Sequence, residues 1–337
     1  MRFEYYHSGL DQVPKLSVDG VVDNALHFSH WHGNQTPPEL KADTSTEIAL
    51  NLVASPQRDE FTRGIDLVTN NHFDTDGVLS VWTILTGARA LDFRDRLIPA
   101  AVAGDFSELI NESAVRTSIA IQGTDQPIPG EESSSPFASY LAGETVLDDA
   151  RAYELVLPEV ERLLTNIDSY EPLWRTPWER IAKAIDSFDR GASTTTEFGD
   201  AGLTLVTLAP DQFGPNGFEP AQHSVPFTAI SGYAKGNLFL IATEMKNGWA
   251  YRIDYPYYSW AETVVRPPIP RRDFSDALNE LNRLERNAGG KWQTNNVELT
   301  AALKFLDSDG HLAGSTIGPF DVAKILSDGY GVNKVRR

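Results

Sequence analysis

Residues 65–91, IDLVTNNHFDTDGVLSVWTILTGARAL, decide the fold. Ile65 to Asn71 is a short apolar run of the length and composition of a buried strand, and after Gly77 the pattern changes to that of an apolar helix. Working back toward the N-terminus, Ala25 to Trp31 (ALHFSHW) has the same strand character and is followed by Gly33 and Asn34, which suit a turn. Two capping-box patterns lie between these strands. They are Thr36-Pro37-Pro38-Glu39, with Pro at a first helical position, and Thr44-Ser45-Thr46-Glu47 before the apolar IALNLV; the second opens the longer helix. The resulting order, strand, helix, strand, helix, predicts an α/β fold with a parallel sheet built by right-handed crossovers. Ligands then bind at the carboxyl ends of the strands, which places His30 and the segment His72 to Gly77 at the functional edge.

Working forward, Phe93 to Ala103 reads as a helix stopped by Gly104, and SIAIQG (Ser118 to Gly123) reads as a strand. Gln122 to Ser135 is a loop without periodicity, and helical patterns resume over Leu147 to Asn166 and Pro177 to Phe188. Composition shifts after Gly191. STTTEFGDAGLTLVTLAP is β-rich, and Asn237 to Tyr258 alternates around Asn247-Gly248, a strong hairpin signal. Asp273 to Asn287 reads as an amphipathic helix with Gly289-Gly290 past its end. The expected organisation is an α/β domain over 1–190, a parallel sheet with flanking helices, and a smaller α+β domain over 195–337.

Of 337 residues, 41% are hydrophobic and 23% charged, the balance of a globular chain. Asp plus Glu number 47 against 29 Lys plus Arg, a formal charge of -18 that repels a phosphodiester backbone and argues against non-specific nucleic-acid binding. A small-molecule substrate is expected instead. There is no Cys, which excludes disulfides, thiolate nucleophiles and zinc-finger or iron–sulfur ligation. The start, MRFEYYHSGLDQ, lacks the basic end and apolar run of a signal peptide, and no apolar stretch approaches the length of a membrane helix, so a cytoplasmic protein with no membrane partner is expected.

In an extended backbone His72, Asp74 and Asp76 project to one side, bringing one imidazole and two carboxylates together. Two such carboxylates repel each other unless a cation lies between them, and this donor set suits Mn²⁺, Mg²⁺, Fe²⁺ or Zn²⁺. The structural alternative is a surface turn with Asp side chains on nearby amides. A calcium EF-hand is excluded, because His72 and Thr83 stand at its first and twelfth positions. His30 and His32 are candidates for a second imidazole ligand or a general acid, against half-buried hydrogen-bonded histidines. Asp105 is a further candidate ligand, against a helix cap. Asp43 and Glu47 read as helix-start residues.

In the second domain Arg271, Arg272, Gly289, Gly290 and Lys291 are candidate substrate contacts for a phosphate or carboxylate, against an ordinary helix C-terminus. His223 and His311 read as surface residues. The aromatic run Trp249 to Trp260 reads as a packed strand pair, not a platform for bases.

His-Phe-Asp-Thr-Asp-Gly followed by Val-Leu-Ser resembles the first motif of the DHH phosphoesterase superfamily, in which a strand ends in Asp-x-Asp-Gly or Asp-x-Asp-Ala before a helix. Through SHWHGN, TPPELKADTSTEIAL and NNHFDTDG the whole chain also resembles an uncharacterised bacterial family known as a domain of unknown function. The superfamily resemblance covers about ten residues. It implies a two-domain hydrolase with a dinuclear manganese or magnesium site, acting on phosphodiesters, pyrophosphate or short nucleotides, with His72, Asp74 and Asp76 as metal ligands and Asp105 as a possible second-motif aspartate. The Asp-His-His triplet is absent, which leaves the second metal and the substrate-facing histidine unassigned. Two other outcomes stay open: a non-catalytic small-ligand-binding protein on the same scaffold, and a mononuclear metal enzyme of another reaction class.

Overall fold

The computed structural model describes residues 1–125, 134–215, 217–294 and 301–328. The fold is mixed α/β and divides into two compact units, one formed by Met1–Trp178 with Trp260–Pro268, the other by Glu179–Ser259 with the chain from Ile269 onward.

The first unit carries a parallel sheet of β1 (Arg2–Phe3), β2 (Lys15–Val18), β3 (Leu26–Phe28) and β4 (Leu67–Thr69), in the order β1-β4-β2-β3. β2 and β4 are buried along their whole length, as expected of strands in a parallel sheet covered by helices. The buried Lys15 is the exception, and its ammonium is satisfied by the carbonyls of Leu10 at 2.9 Å and Asn24 at 3.3 Å. The sheet is accompanied by α1 (Ser45–Ala54), the single-turn α2 (Arg58–Phe61), α3 (Thr75–Thr86), α4 (Arg94–Phe106) and α5 (Glu112–Gln122). Beyond them come α6 (Pro136–Ala142), α7 (Asp149–Val156), α8 (Val160–Thr165) and the first part of α9 (Glu171–Asp189).

The helix after β4 begins at Thr75, ahead of Gly77, because Asp74 caps it: its Oδ1 accepts the Gly77 amide at 2.8 Å. A Cβ on Gly77 would lie 2.7 Å from Asn70 Nδ2 and 2.8 Å from the Tyr153 hydroxyl, so this approach requires glycine. α1 starts where the second capping box places it, with Thr44 Oγ1 accepting the Glu47 amide. Residues 36–39 form no helix. Thr36 is instead held to Ser29, accepting its amide and donating to its carbonyl.

Two further expectations are corrected. α4 runs through Gly104 to Phe106, and the helix stops only at Ser107, a left-handed residue with φ 49. Gly104 serves packing, since a Cβ there would sit 2.6 Å from Cβ of Thr75. Ser118 to Gln122 is the last turn and a half of α5, capped by Asn111 and ended by Gly123, because a short fully buried apolar run has no period that separates strand from helix. Most of the expected loop over 122–135 lies outside the described residues.

The second unit is a six-stranded sheet in the order β5-β6-β7-β8-β10-β9. Its strands are β5 (Thr194–Phe198), β6 (Leu203–Leu208), β7 (Leu238–Met245), β8 (Gly248–Asp254), β9 (Gly290–Thr294) and β10 (Leu303–Asp307), antiparallel except for β6 with β7. One face packs Tyr251, Trp292 and Phe305 against α11 (Ser275–Leu284) and α12 (Pro319–Asp328); the other packs Val206, Phe239 and Ile241 against α10 (Phe227–Tyr233). The Asn247-Gly248 hairpin is present. α11 ends at Leu284, so Gly289 and Gly290 do not stop that helix; Gly290 opens β9. The aromatic run is strand only as far as Asp254, after which Tyr257–Trp260 is a 3₁₀ turn.

Candidate metal centre

The parallel strands deliver their chemistry at their carboxyl ends, as the fold class demands. β2 is followed by Asp19, held at φ 51, and β3 by Ser29 and His30. β4 leads through Asn70 to His72 and Asp74, and Asp76 stands in the first turn of α3. Asp105 comes from the last turn of α4.

His30, Asp19, Asp76 and Asp105 form a fully buried group. His30 Nε2 is 3.1 Å from Asp105 Oδ2, 3.3 Å from Asp19 Oδ1 and 3.8 Å from Asp76 Oδ2. The other ring nitrogen, Nδ1, lies 2.7 Å from the Asp43 carbonyl, which only accepts, so Nδ1 carries the proton and the Nε2 position faces the carboxylates. None of those three contacts has hydrogen-bond geometry. His30 Nε2 and Asp19 Oδ2 are buried polar atoms without a hydrogen-bond partner. Asp76 is fixed from behind, its two oxygens accepting the amides of Ser45 and Thr46 at 2.7 Å each at the N-terminus of α1.

A second group shares Asp19. His72 Nε2 is 3.1 Å from Asp74 Oδ2 and 3.3 Å from Asp19 Oδ2, while its Nδ1 is 3.2 Å from Asn71 Oδ1. The arrangement repeats: each imidazole has Nδ1 tied to a neutral acceptor and Nε2 presented to carboxylates, as in histidine ligands of metals. Here the side chains are partly open, 30% exposed for His72 and 25% for Asp74. Asp19 thus gives Oδ1 to the buried group and Oδ2 to the open one.

The donor spacing fits a cation. Ligand bonds of about 2.0–2.2 Å put neighbouring donors roughly 3 Å apart, close to the shorter of these separations. The protonation preferences show what the groups do without one. Burial opposes the charged form of His30, but Asp105 and Asp19 outweigh it and hold its pKa well above the usual histidine range; Asp74 and Asp19 do the same for His72. Burial and then the charge of Asp19 push Asp76 up to about 7, and burial, Asp76 and Asp74 push Asp105 well above the usual carboxylate range. Burial would also raise Asp19, but its two imidazole neighbours bring it below that range. Protons therefore hold the cluster together where a divalent cation would replace them.

The profile of a family of unknown function, DUF6687, matches residues 1–314. The chain belongs to this family. A comparison with curated proteins gave no match.

In this DUF6687 member the expected tripod is rearranged. His72 and Asp74 stay together, but Asp76 points into the other group, because the backbone turns helical at Thr75 and the two-residue alternation ends there. His30 and Asp105 do converge, and the next cap role is taken by Asn111 rather than Asp105. His32 stands outside both groups: its side chain is 67% exposed and 3.5 Å from Glu262, since the chain turns at Gly33 instead of continuing as strand. Asp43 is no simple helix-start residue, for its carboxylate accepts the amides of Val264, Val265 and Arg266. Glu47 pairs with Arg94 at 2.8 Å.

The remaining candidates belong to the second unit. Arg271 lies 4.4 Å over the Tyr255 ring and reaches Ser259, and Arg272 donates to the Ala201 carbonyl. Gly289, Gly290 and Lys291 line a groove of about 600 Å³ together with Gln293, Asp307 and Ser308. His223 accepts the Glu219 amide, and His311 is 77% exposed. Sequence reasoning missed Asp19. Its signal was KLSVDG, a short strand followed at once by Asp-Gly, with an Asp-Gly likewise a few residues past β4.

Proposed function

We propose that this chain is a metal-dependent hydrolase of a small phosphorylated substrate, using a pair of divalent cations, Mn²⁺ or Mg²⁺, that share Asp19. The observation that carries the reading is the position of that carboxylate, a member of both groups, with Oδ1 3.3 Å from His30 Nε2 and Oδ2 3.3 Å from His72 Nε2. Oxygen donors with one imidazole per group favour hard cations over thiophilic ones. The likeness of the 72–80 segment to the first DHH phosphoesterase motif points the same way.

Cations held there would lower the pKa of a bound water and polarise a phosphoryl oxygen. The chain's own contribution is placement. Asp76 is locked by the α1 amides, His30 by the Asp43 carbonyl and Asp74 by the Gly77 amide, so the donors are preorganised and cost little to arrange. The open group receives substrate, since His72 and Asp74 are its exposed members. Trp31 and Trp260 wall this region: Trp31 lies 5.7 Å from His72 and 5.2 Å from Trp260, which in turn packs edge-on against His30 at 4.9 Å. These indoles exclude water from the His30 side.

Protein purified without tags or chelators should contain Mn, Mg or a related divalent ion and, with Mn²⁺, hydrolyse at least one member of a panel of phosphodiesters, pyrophosphate and dinucleotides. Asp74→Asn should lower that rate by at least about 100-fold, as expected when a group acting in metal catalysis is removed. Full metal occupancy without hydrolysis, together with a small ligand that raises the melting temperature, would replace this reading by a non-catalytic binding protein. Iron-specific spectra after anaerobic reconstitution would replace it by a mononuclear enzyme of another class.

A further inference from the structure

Among the described residues the buried group contains none from beyond Asp105, yet residues 260–268 pack onto it. Trp260 packs on the His30 ring, and the Glu262 amide donates to the His30 carbonyl at 2.8 Å. Glu262 and the amides of Val264 and Val265 add further bonds, and Arg266 joins two carboxylates. Its Nη1 is 2.7 Å from Asp43 Oδ2, its Nε is 2.9 Å from Glu108 Oε1, Nη2 bonds Glu108 Oε2, and the guanidinium lies 4.9 Å over the Phe106 ring. Each partner adjoins a candidate ligand. Asp43 supplies the carbonyl that orients His30, Phe106 follows Asp105 as the last residue of α4, and Glu108 lies one residue past the Ser107 cap.

We propose that Arg266 is a positioning residue for the buried cation site, setting the separation of His30 and Asp105 by clamping Asp43 to Glu108. The inference rests on the cation-binding reading above and adds to it a residue remote in sequence whose guanidinium meets Asp43 and Glu108. Only a planar, forked cation can serve both carboxylates at once; a lysine ammonium in the same place serves one. Because the clamp acts on His30 and Asp105, it governs one of the two cation sites and leaves the His72 and Asp74 site alone.

Calorimetric titration of the cation-free full chain with Mn²⁺, on wild type, Arg266→Lys, Arg266→Ala and Glu108→Gln, tests this, with the cation-free melting temperature recorded for each. The expected result is that Arg266→Lys and Glu108→Gln weaken one Mn²⁺ site by about 10- to 100-fold, the range typical of residues that orient ligands, and leave the other at its wild-type affinity. If Arg266→Ala does not fold, the two milder variants carry the test. Equal weakening of both sites in proportion to a lowered melting temperature would overturn the proposal in favour of a general structural role. Wild-type titrations in the Arg266 and Glu108 variants, beside an Asp105→Asn variant that loses one site, would overturn it while leaving the cation reading intact. A wild-type chain that takes up no Mn²⁺ would remove both.

Discussion

The two imidazole stations of the first unit use one design in two settings. At each, Nδ1 is fixed by a neutral acceptor and Nε2 faces carboxylates, but His30 is fully enclosed while His72 is 30% exposed. The enclosed station is held by helix amides, a backbone carbonyl and the Arg266 clamp. The open one depends on the Asp74 cap and Asn71. The difference teaches that burial converts a ligand into part of the core: what the enclosed residues gain in rigidity they risk in stability, because an unpaired buried charge costs on the order of several kcal/mol.

The largest expected effect separates the stations by stability. His30→Ala should destabilise the fold by about 2–4 kcal/mol, since it leaves a cavity and strands buried carboxylates, whereas His72→Ala, at a partly open side chain, should cost less. Urea unfolding of both variants under identical conditions measures the gap, and equal losses would erase the distinction between the stations.

A smaller effect sharpens it through pH. Asp76, raised to about 7 from an ordinary 3.8, and Asp105, also raised, stabilise the cation-free fold below the ordinary carboxylate range and lose that contribution as pH rises toward and through 7. His30 and His72 are raised as well, so their contribution is complete below about 6.5 and fades only above that. Asp19 is lowered and acts in the opposite sense, its contribution being lost only in strong acid. The melting temperature of cation-free protein should therefore fall between about pH 5 and about pH 9, and the rise produced by saturating Mn²⁺ should grow over the same interval. A melting temperature that increases across that range would contradict the assignment of protons to this cluster. The smallest effect is the control: His32→Ala should change stability by less than about 0.5 kcal/mol and leave Mn²⁺ uptake unaltered, because that imidazole is exposed and outside both groups.

How much of this was legible in sequence depended on the range of the interactions. Local signals held. The Thr44 cap and the Asn247-Gly248 hairpin are written in neighbouring residues. Asp105 and His30 were legible as candidate ligands of one site, but not the route by which they meet, which needs α4 to approach Thr75 through Gly104. Asp19 was hidden because β2 is four residues long and begins with a buried lysine, so it lacks the apolar length that marks a strand. Arg266 could not be found, since it meets Asp43 across 223 residues and no periodicity spans that distance.

The central claim, that Asp19 serves both stations, is tested most directly by counting Mn²⁺ ions bound per chain in wild type and in Asp19→Asn. Two ions in the wild type and a loss of both high-affinity sites in the variant is the predicted result. A variant that still binds the wild-type complement at wild-type affinity would contradict it.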